Sequence, residues 1–192
     1  MTDATATRPV PKHVPKPGPQ KERLREMLRV DHAGEYGAVQ IYKGQRAVFD
    51  KLPHKARISG LLKEMEEGEQ AHLKRFDELL AEHKTRPTLF APLWNVAGFA
   101  LGAGTALVGE KAAMACTSAV EEVIEKHYAE QAEELGETEP ELRDEILQFR
   151  EEELEHKHTA IEEGAEETPG YGLMKSVIQA GCHLAIRISE KV

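Results

Sequence analysis

Aromatic residues make up only 5% of this 192-residue chain, and cysteine occurs twice. Strands favour aromatic and β-branched residues, so their scarcity beside abundant Ala, Leu, Glu and Lys argues against a β-rich fold and for helices. No Cys-x-x-Cys is present, and Cys116 and Cys182 lie far apart in apolar surroundings. Two buried, reduced thiols of a cytosolic compartment are expected rather than a disulfide. Basic excess is missing as well: the net charge is −9, which argues against a nucleic-acid partner. No Gly-x-Gly-x-x-Gly unit occurs, so a Rossmann-type nucleotide site is not expected. Residues 1–20 lack the apolar core of a secretory signal. Pro9, Pro11, Pro15, Pro17 and Pro19 also exclude a continuous amphipathic targeting helix there. We read 1–20 as a disordered or polyproline-like arm, mildly basic through Arg8, Lys12 and Lys16, and 21–192 as one domain.

Six helical segments are expected: Lys21 to Phe49, Lys55 to His83, an apolar stretch from Pro92 through Val108, Lys111 to Leu135, Glu139 to Glu163, and Tyr171 to Ser189. From Pro87 to Gly109 there is no charged residue, long enough by itself to cross a bilayer. Pro92, Asn95, Gly98, Gly102, Gly104 and Gly109 lower its hydrophobicity and helix strength, so a buried or interfacial hairpin half is the preferred reading. The last segment interleaves Leu173, Val177, Ile178, Leu184 and Ile188 with Lys175, His183, Arg187 and Lys191. It suits an ordinary packing helix or a basic interfacial helix on anionic lipid.

Two Glu-x-x-His units, Glu69/His72 and Glu153/His156, place a carboxylate and an imidazole on one helical face. The motif alone is weak. With 29 Glu and 9 His, about 1.4 such pairs arise by chance, and Glu155/His158 is a third. Helical phase separates them. Glu69 and His72 fill a gap in the apolar stripe of Ile58, Leu61, Leu62, Met65, Phe76, Leu79 and Leu80. Glu153 and His156 fill the corresponding gap among Leu142, Ile146, Phe149 and Ala160. Glu155 and His158 share a polar face with Glu151 and Glu162 and are rejected. Glu121 joins the stripe of Met114, Thr117, Ile124, Tyr128 and Leu135, whereas Glu122 points with Glu125 and Lys126 toward solvent. Glu35 shares a face with Leu28, Ala38, Tyr42 and Phe49.

A carboxylate buried without a partner costs several kcal/mol or stays neutral, so four Glu and two His directed at one core call for cations. The layout is duplicated: Glu35 then Glu69-x-x-His72, and Glu121 then Glu153-x-x-His156. That four-helix pattern is the signature of ferritin-like di-iron and di-manganese proteins. Four carboxylates balance two divalent ions, and an oxygen-rich site with two imidazoles suits iron or manganese over zinc or copper. The expected fold is an all-α, ferritin-like four-helix bundle with an additional apolar helix and a C-terminal amphipathic helix.

Longer runs carry a further likeness: Arg-Val-Asp-His-Ala-Gly-Glu-Tyr-Gly-Ala at 29–38, Pro-Leu-Trp-Asn-Val-Ala-Gly-Phe-Ala-Leu-Gly-Ala-Gly-Thr-Ala-Leu at 92–107, Met-Ala-Cys-Thr at 114–117, Val-Glu-Glu around 121, His127-Tyr128, and Ile-Gln-Ala-Gly-Cys at 178–182. In these the chain resembles the demethoxyubiquinone hydroxylases of ubiquinone biosynthesis over about residues 24–192. The resemblance implies two iron ions on Glu35, Glu69, His72, Glu121, Glu153 and His156, the same six that helical phase selects. It further implies that His127 and Tyr128 help electron or substrate handling; core packing of Tyr128, its hydroxyl on a ligand carboxylate, is the other reading.

The activity implied is a monooxygenase that inserts one atom of O₂ into a polyprenyl demethoxybenzoquinol, with NADH as the electron source. A substrate embedded in the membrane implies peripheral membrane association, with an apolar face anchored by Trp94, and a lipid-binding accessory protein of the same pathway as partner; a homo-oligomer is compatible with this. The missing targeting segment leans toward the cytoplasmic side of a bacterial inner membrane, the matrix side of the mitochondrial inner membrane being the alternative. Two other functions share the bundle. A ferritin-type ferroxidase has no place for the uncharged Gly-rich segment, and a non-catalytic membrane-associated scaffold would hold no metal.

Overall fold

The computed structural model describes residues 21–192; the Pro-rich arm and the disorder expected of it lie outside the described residues. Six helices follow one another: α1 (Lys21–Phe49), α2 (Ala56–Glu82), α3 (Ala91–Val108), α4 (Glu110–Leu135), α5 (Pro140–Glu162) and α6 (Tyr171–Ser189). Among the described residues there is no strand. The boundaries lie within about one residue of those expected, because Pro and Gly punctuate the chain. Pro53 opens a short 3-10 turn between α1 and α2. Pro140 starts α5, where its missing N–H would have had no helical partner. Gly136 ends α4 at φ 56°, a backbone state that only glycine adopts cheaply.

Helices α1 and α2 pack as one hairpin, α4 and α5 as a second. The two hairpins share an apolar core in two parts. Leu24, Leu28, Phe76, Leu135, Ile146 and Phe149 form one. Phe49, Ile58, Leu62, Met65, Met114 and Ala160 form the other. The two Glu-x-x-His units lie along α2 and α5 between these parts, so the polar layer is closed by hydrocarbon on both sides.

The other two helices flank this bundle: α3 lies along α1, and α6 along α4. The glycines that weaken α3 as an isolated helix permit its close approach. A methyl on Gly98 would sit 2.9 Å from the Gly37 carbonyl oxygen, and methyls on Gly102 and Gly44 would collide with the carbonyls of Ile41 and Phe99. Small residues four apart are what let two helix backbones meet. Burial of α3, one of its two expected fates, is not found. Leu93, Val96, Leu107 and Val108 stand more than half exposed, and 22% of the helix is buried. By length and composition α3 could cross a membrane. Helix α6 exposes Leu173, Val177 and Leu184 beside it. Its Lys175 is committed to Glu122 at 2.6 Å.

Glu125 corrects one expectation. It is buried rather than solvent-facing, because α5 covers it with Arg150 at 3.5 Å and Lys157 at 3.4 Å.

Candidate metal centre

Each central helix contributes ligand-type side chains at the same level: Glu35 from α1, Glu69 and His72 from α2, Glu121 from α4, and Glu153 and His156 from α5. Glu35, Glu69 and Glu153 are 0% exposed, Glu121 1% and His72 2%, while His156 is half-buried. The side chains form two groups, Glu35–Glu69–His72–Glu153 and Glu69–Glu121–Glu153–His156, each with ligand atoms within 4.8 Å of one another. Glu69 and Glu153 belong to both groups, so both candidate cation positions would share them.

The buried polar atoms fit such ions. Glu35 Oε2, Glu69 Oε2, Glu121 Oε2, both Glu153 oxygens and His72 Nδ1 have no hydrogen-bond partner. Buried polar atoms are otherwise almost always paired, so this concentration in one layer marks a place for cations. Both imidazoles turn Nδ1 inward: His72 Nδ1 is 3.1 Å from Glu153 Oε1, and His156 Nδ1 is 3.0 Å from Glu69 Oε1. The donor set is rich in oxygen and contains no sulfur, which suits iron or manganese.

Crowding four carboxylates in a dry layer displaces their proton equilibria. Burial, with repulsion from Glu153, Glu121 and Glu35, lifts Glu69 well above the usual carboxylate range. Burial and the neighbouring Glu153 do the same to Glu121. Burial also pushes Glu153 up, but the imidazoles of His156 and His72 close beside it outweigh burial and hold Glu153 down to about 2. For His72, burial favours the neutral ring, yet Glu153 and Glu35 raise it to about 11. Bound cations would take over the role these protons play.

Two tyrosines cross between the hairpins. Tyr42 of α1 donates to Glu121 Oε1 of α4 at 2.7 Å, and Tyr128 of α4 donates to Glu35 Oε1 of α1. Each tyrosine lies seven residues after the glutamate of its own helix. Burial first, then the facing carboxylate, raises both phenols well above their usual range, so both remain donors at neutral pH.

His127 lies outside the metal layer. Its Nε2 is 3.2 Å from Asp31 Oδ1, while Gln131 Nε2 donates to Asp31 Oδ2 at 2.6 Å. Burial disfavours the His127 cation, but the hydrogen bond to Asp31 and its charge raise the imidazole's pKa. His127, Tyr128 and Asp31 supply the polar side chains on the inner wall of a cavity of about 430 Å³. Apart from Ser189, its remaining lining is mostly apolar, including Trp94 and Leu101 of α3, Val120 and Ile124 of α4, and Ile178 of α6. The cavity lies between α3 and α6, which meet at Trp94, whose Nε1 donates to Ser189 Oγ at 3.2 Å. Tyr128 both lines it and holds Glu35, so one side chain separates the cavity from the metal layer.

Motif reading missed Asp31, Gln131 and Glu152. Asp31 lies one helical turn before Glu35, and that spacing could have indicated it. Glu152 carries no such signal: it is next to Glu153, off the core face, yet its Oε2 reaches His72 Nε2 at 2.6 Å.

Comparison with known proteins agrees with this architecture. The profile of the family described as ubiquinone biosynthesis protein COQ7 matches residues 22–189. A bovine protein named NADPH-dependent 3-demethoxyubiquinone 3-hydroxylase, mitochondrial, is 51% identical over 176 residues, 90% of this chain and 79% of its own length. The 3-demethoxyubiquinol 3-hydroxylase of Rhodospirillum rubrum is 51% identical over 169 residues, 88% and 78% of the two chains. The 5-demethoxyubiquinone hydroxylase, mitochondrial, of Saccharomyces cerevisiae is 37% identical over 202 residues, 95% and 85%.

Proposed function

The chain belongs to the COQ7 family of ubiquinone biosynthesis proteins, and on that premise we propose how its geometry serves a demethoxyubiquinone hydroxylase. The chain is a monooxygenase of the ubiquinone pathway: one atom of O₂ enters the quinol ring as a hydroxyl, and the other leaves as water with two electrons and two protons. The family does not support the ferroxidase or scaffold alternatives.

We assign two iron ions to the buried layer, held by Glu35 and His72 at one position, Glu121 and His156 at the other, and Glu69 and Glu153 between them. Those ions supply the activation of O₂. The residues around them do the rest. Tyr42 and Tyr128 hold Glu121 and Glu35 in place by their hydroxyls, and the apolar core on either side excludes water. The cavity between α3 and α6 takes the quinol, its apolar walls holding the first prenyl units and the ring lying inward against Tyr128 and His127. Asp31 turns His127 toward the cavity, where it can hold or pass a ring-hydroxyl proton.

The observation that carries this reading is Tyr128, which belongs at once to the cavity wall and to the carboxylate layer. The exposed apolar side chains of α3 and α6 flank the same cavity, so we assign them to the membrane surface from which a polyprenyl substrate enters. With Lys175 tied to Glu122, that attachment is more apolar than basic. The membrane is the bacterial inner membrane or its mitochondrial counterpart; the bovine and yeast relatives carry the mitochondrial designation. The electron source is a reduced nicotinamide dinucleotide. NADH is the expectation from the sequence, and the bovine relative's name specifies NADPH.

Expression of this chain in cells lacking their own hydroxylase tests the proposal. The wild type restores ubiquinone, whereas Glu153→Ala or His156→Ala leaves demethoxyubiquinone to accumulate. Ubiquinone at wild-type levels in either variant contradicts it.

A further inference from the structure

The two hairpins repeat one sequence pattern helix for helix, α4 matching α1 and α5 matching α2. Glu35, Tyr42 and Gln45 of α1 correspond to Glu121, Tyr128 and Gln131 of α4, and Glu69 and His72 of α2 to Glu153 and His156 of α5. The register fails at the residue before each bridging glutamate. On α5 that residue is Glu152, whose Oε2 lies 2.6 Å from the outer nitrogen, Nε2, of His72. Gln148 Nε2 steadies the other Glu152 oxygen at 3.1 Å. On α2 the corresponding residue is Gly68. A Cβ built there would lie 3.5 Å from His156 Nε2, so the position faces the same atom with no side chain to meet it. His72 is backed by a carboxylate and nearly fully buried, whereas the His156 side chain is 16% exposed.

A carboxylate behind a metal-bound imidazole fixes its tautomer, orients the ring and makes it a stronger donor. We infer that Glu152 is a positioning residue that makes the two metal positions chemically unequal. It makes the Glu35–His72 position the more electron-rich of the two, while Gly68 leaves the Glu121–His156 position unbacked. Tyr128 bonds Glu35, so the backed position is the one beside the apolar cavity. This rests on the assignment of two iron ions to the layer.

The experiment loads the whole protein anaerobically with ⁵⁷Fe(II) and records Mössbauer spectra together with iron uptake. The wild type gives two quadrupole doublets of equal area. Glu152→Gln shifts one doublet and leaves the other, and weakens one iron equivalent by roughly 10- to 100-fold. Glu152→Asp recovers part of that loss. Gly68→Glu supplies the missing carboxylate and shifts the second doublet toward the first; a Cβ at that position meets only ordinary van der Waals contacts, and a circular dichroism melt confirms that the variant folds. A single doublet in the wild type, or a Glu152→Gln protein whose two doublets are both unchanged or both moved alike, overturns the inference while leaving the two-iron assignment standing. A wild type that takes up no iron overturns both.

Discussion

The α1–α2 hairpin and the α4–α5 hairpin carry the same metal-binding plan, and they differ where the molecule must tell one side from the other. Matched positions hold the layer together: a glutamate, a tyrosine seven residues on that crosses to the opposite glutamate, and a Glu-x-x-His unit. The fourth residue before the glutamate is Asp31 in one half and Thr117 in the other, each facing a glutamine of the opposite hairpin at 2.6 and 3.5 Å. Only Asp31 also holds a histidine, because His127 of α4 has Ile41 as its α1 counterpart. The repeat thus builds the carboxylate layer proposed to hold the irons, and its departures fall on the side chains beside the cavity proposed for the substrate. The cavity between α3 and α6 is lined by Asp31 and His127, one departure from each hairpin.

The tyrosine pair tests this most strongly. Tyr42→Phe and Tyr128→Phe each remove a donor from a ligand carboxylate and should weaken iron binding by roughly 10- to 100-fold. Turnover per bound iron should fall further only in Tyr128→Phe, since only Tyr128 lines the cavity. Equal turnover per iron in the two variants would break the link between cavity and layer.

A smaller effect concerns the metal-free protein. Glu69 and Glu121, one from each hairpin, have pKa values raised above the ordinary 4.5. The folded chain therefore keeps protons that the unfolded chain has released, and their contribution is complete below pH about 4.5 and lost as pH rises through the raised values. His72, raised from 6.5 to about 11, adds to the loss above 6.5. Glu153 acts at the acid end, where its contribution disappears as pH falls from 4.5 through about 2. Melting of the metal-free protein should move down as pH rises from about 4.5, and further above 6.5 as His72 joins, by up to about 1.4 kcal/mol per pH unit for each retained proton. Iron loading should remove that slope, and Glu69→Gln and Glu121→Gln should each flatten it by similar amounts. An unchanged slope in both variants would contradict that origin.

Much of this was legible in the sequence. Six helices, and the gathering of these six Glu and His side chains in one buried layer, follow from apolar periodicity, since polar gaps in the stripe recur in both halves. The crossing of Tyr42 and Tyr128 was not legible. Spacing puts each on its own glutamate's face, but the pairing of helices decides which carboxylate it meets. Glu152 was hidden for a related reason: one residue from Glu153, it lies about 100° off the core face, and its long side chain reaches round to the neighbouring helix. Glu125 was assigned to solvent because its own helix suggests so, and the covering Arg150 and Lys157 belong to another. The glycines of α3 read as helix breakers from the sequence, whereas their effect depends on the Gly37 and Ile41 carbonyls that Gly98 and Gly102 face on α1.

The central claim is that the buried layer performs oxygen chemistry on a quinol held against Tyr128. A single turnover under ¹⁸O₂ tests it most directly, with the iron-loaded protein reduced beforehand and a short-chain demethoxyubiquinol in detergent as substrate. The account predicts one labelled oxygen in the new ring hydroxyl and none there in Glu153→Ala. Oxygen consumption with the ring unlabelled would contradict it.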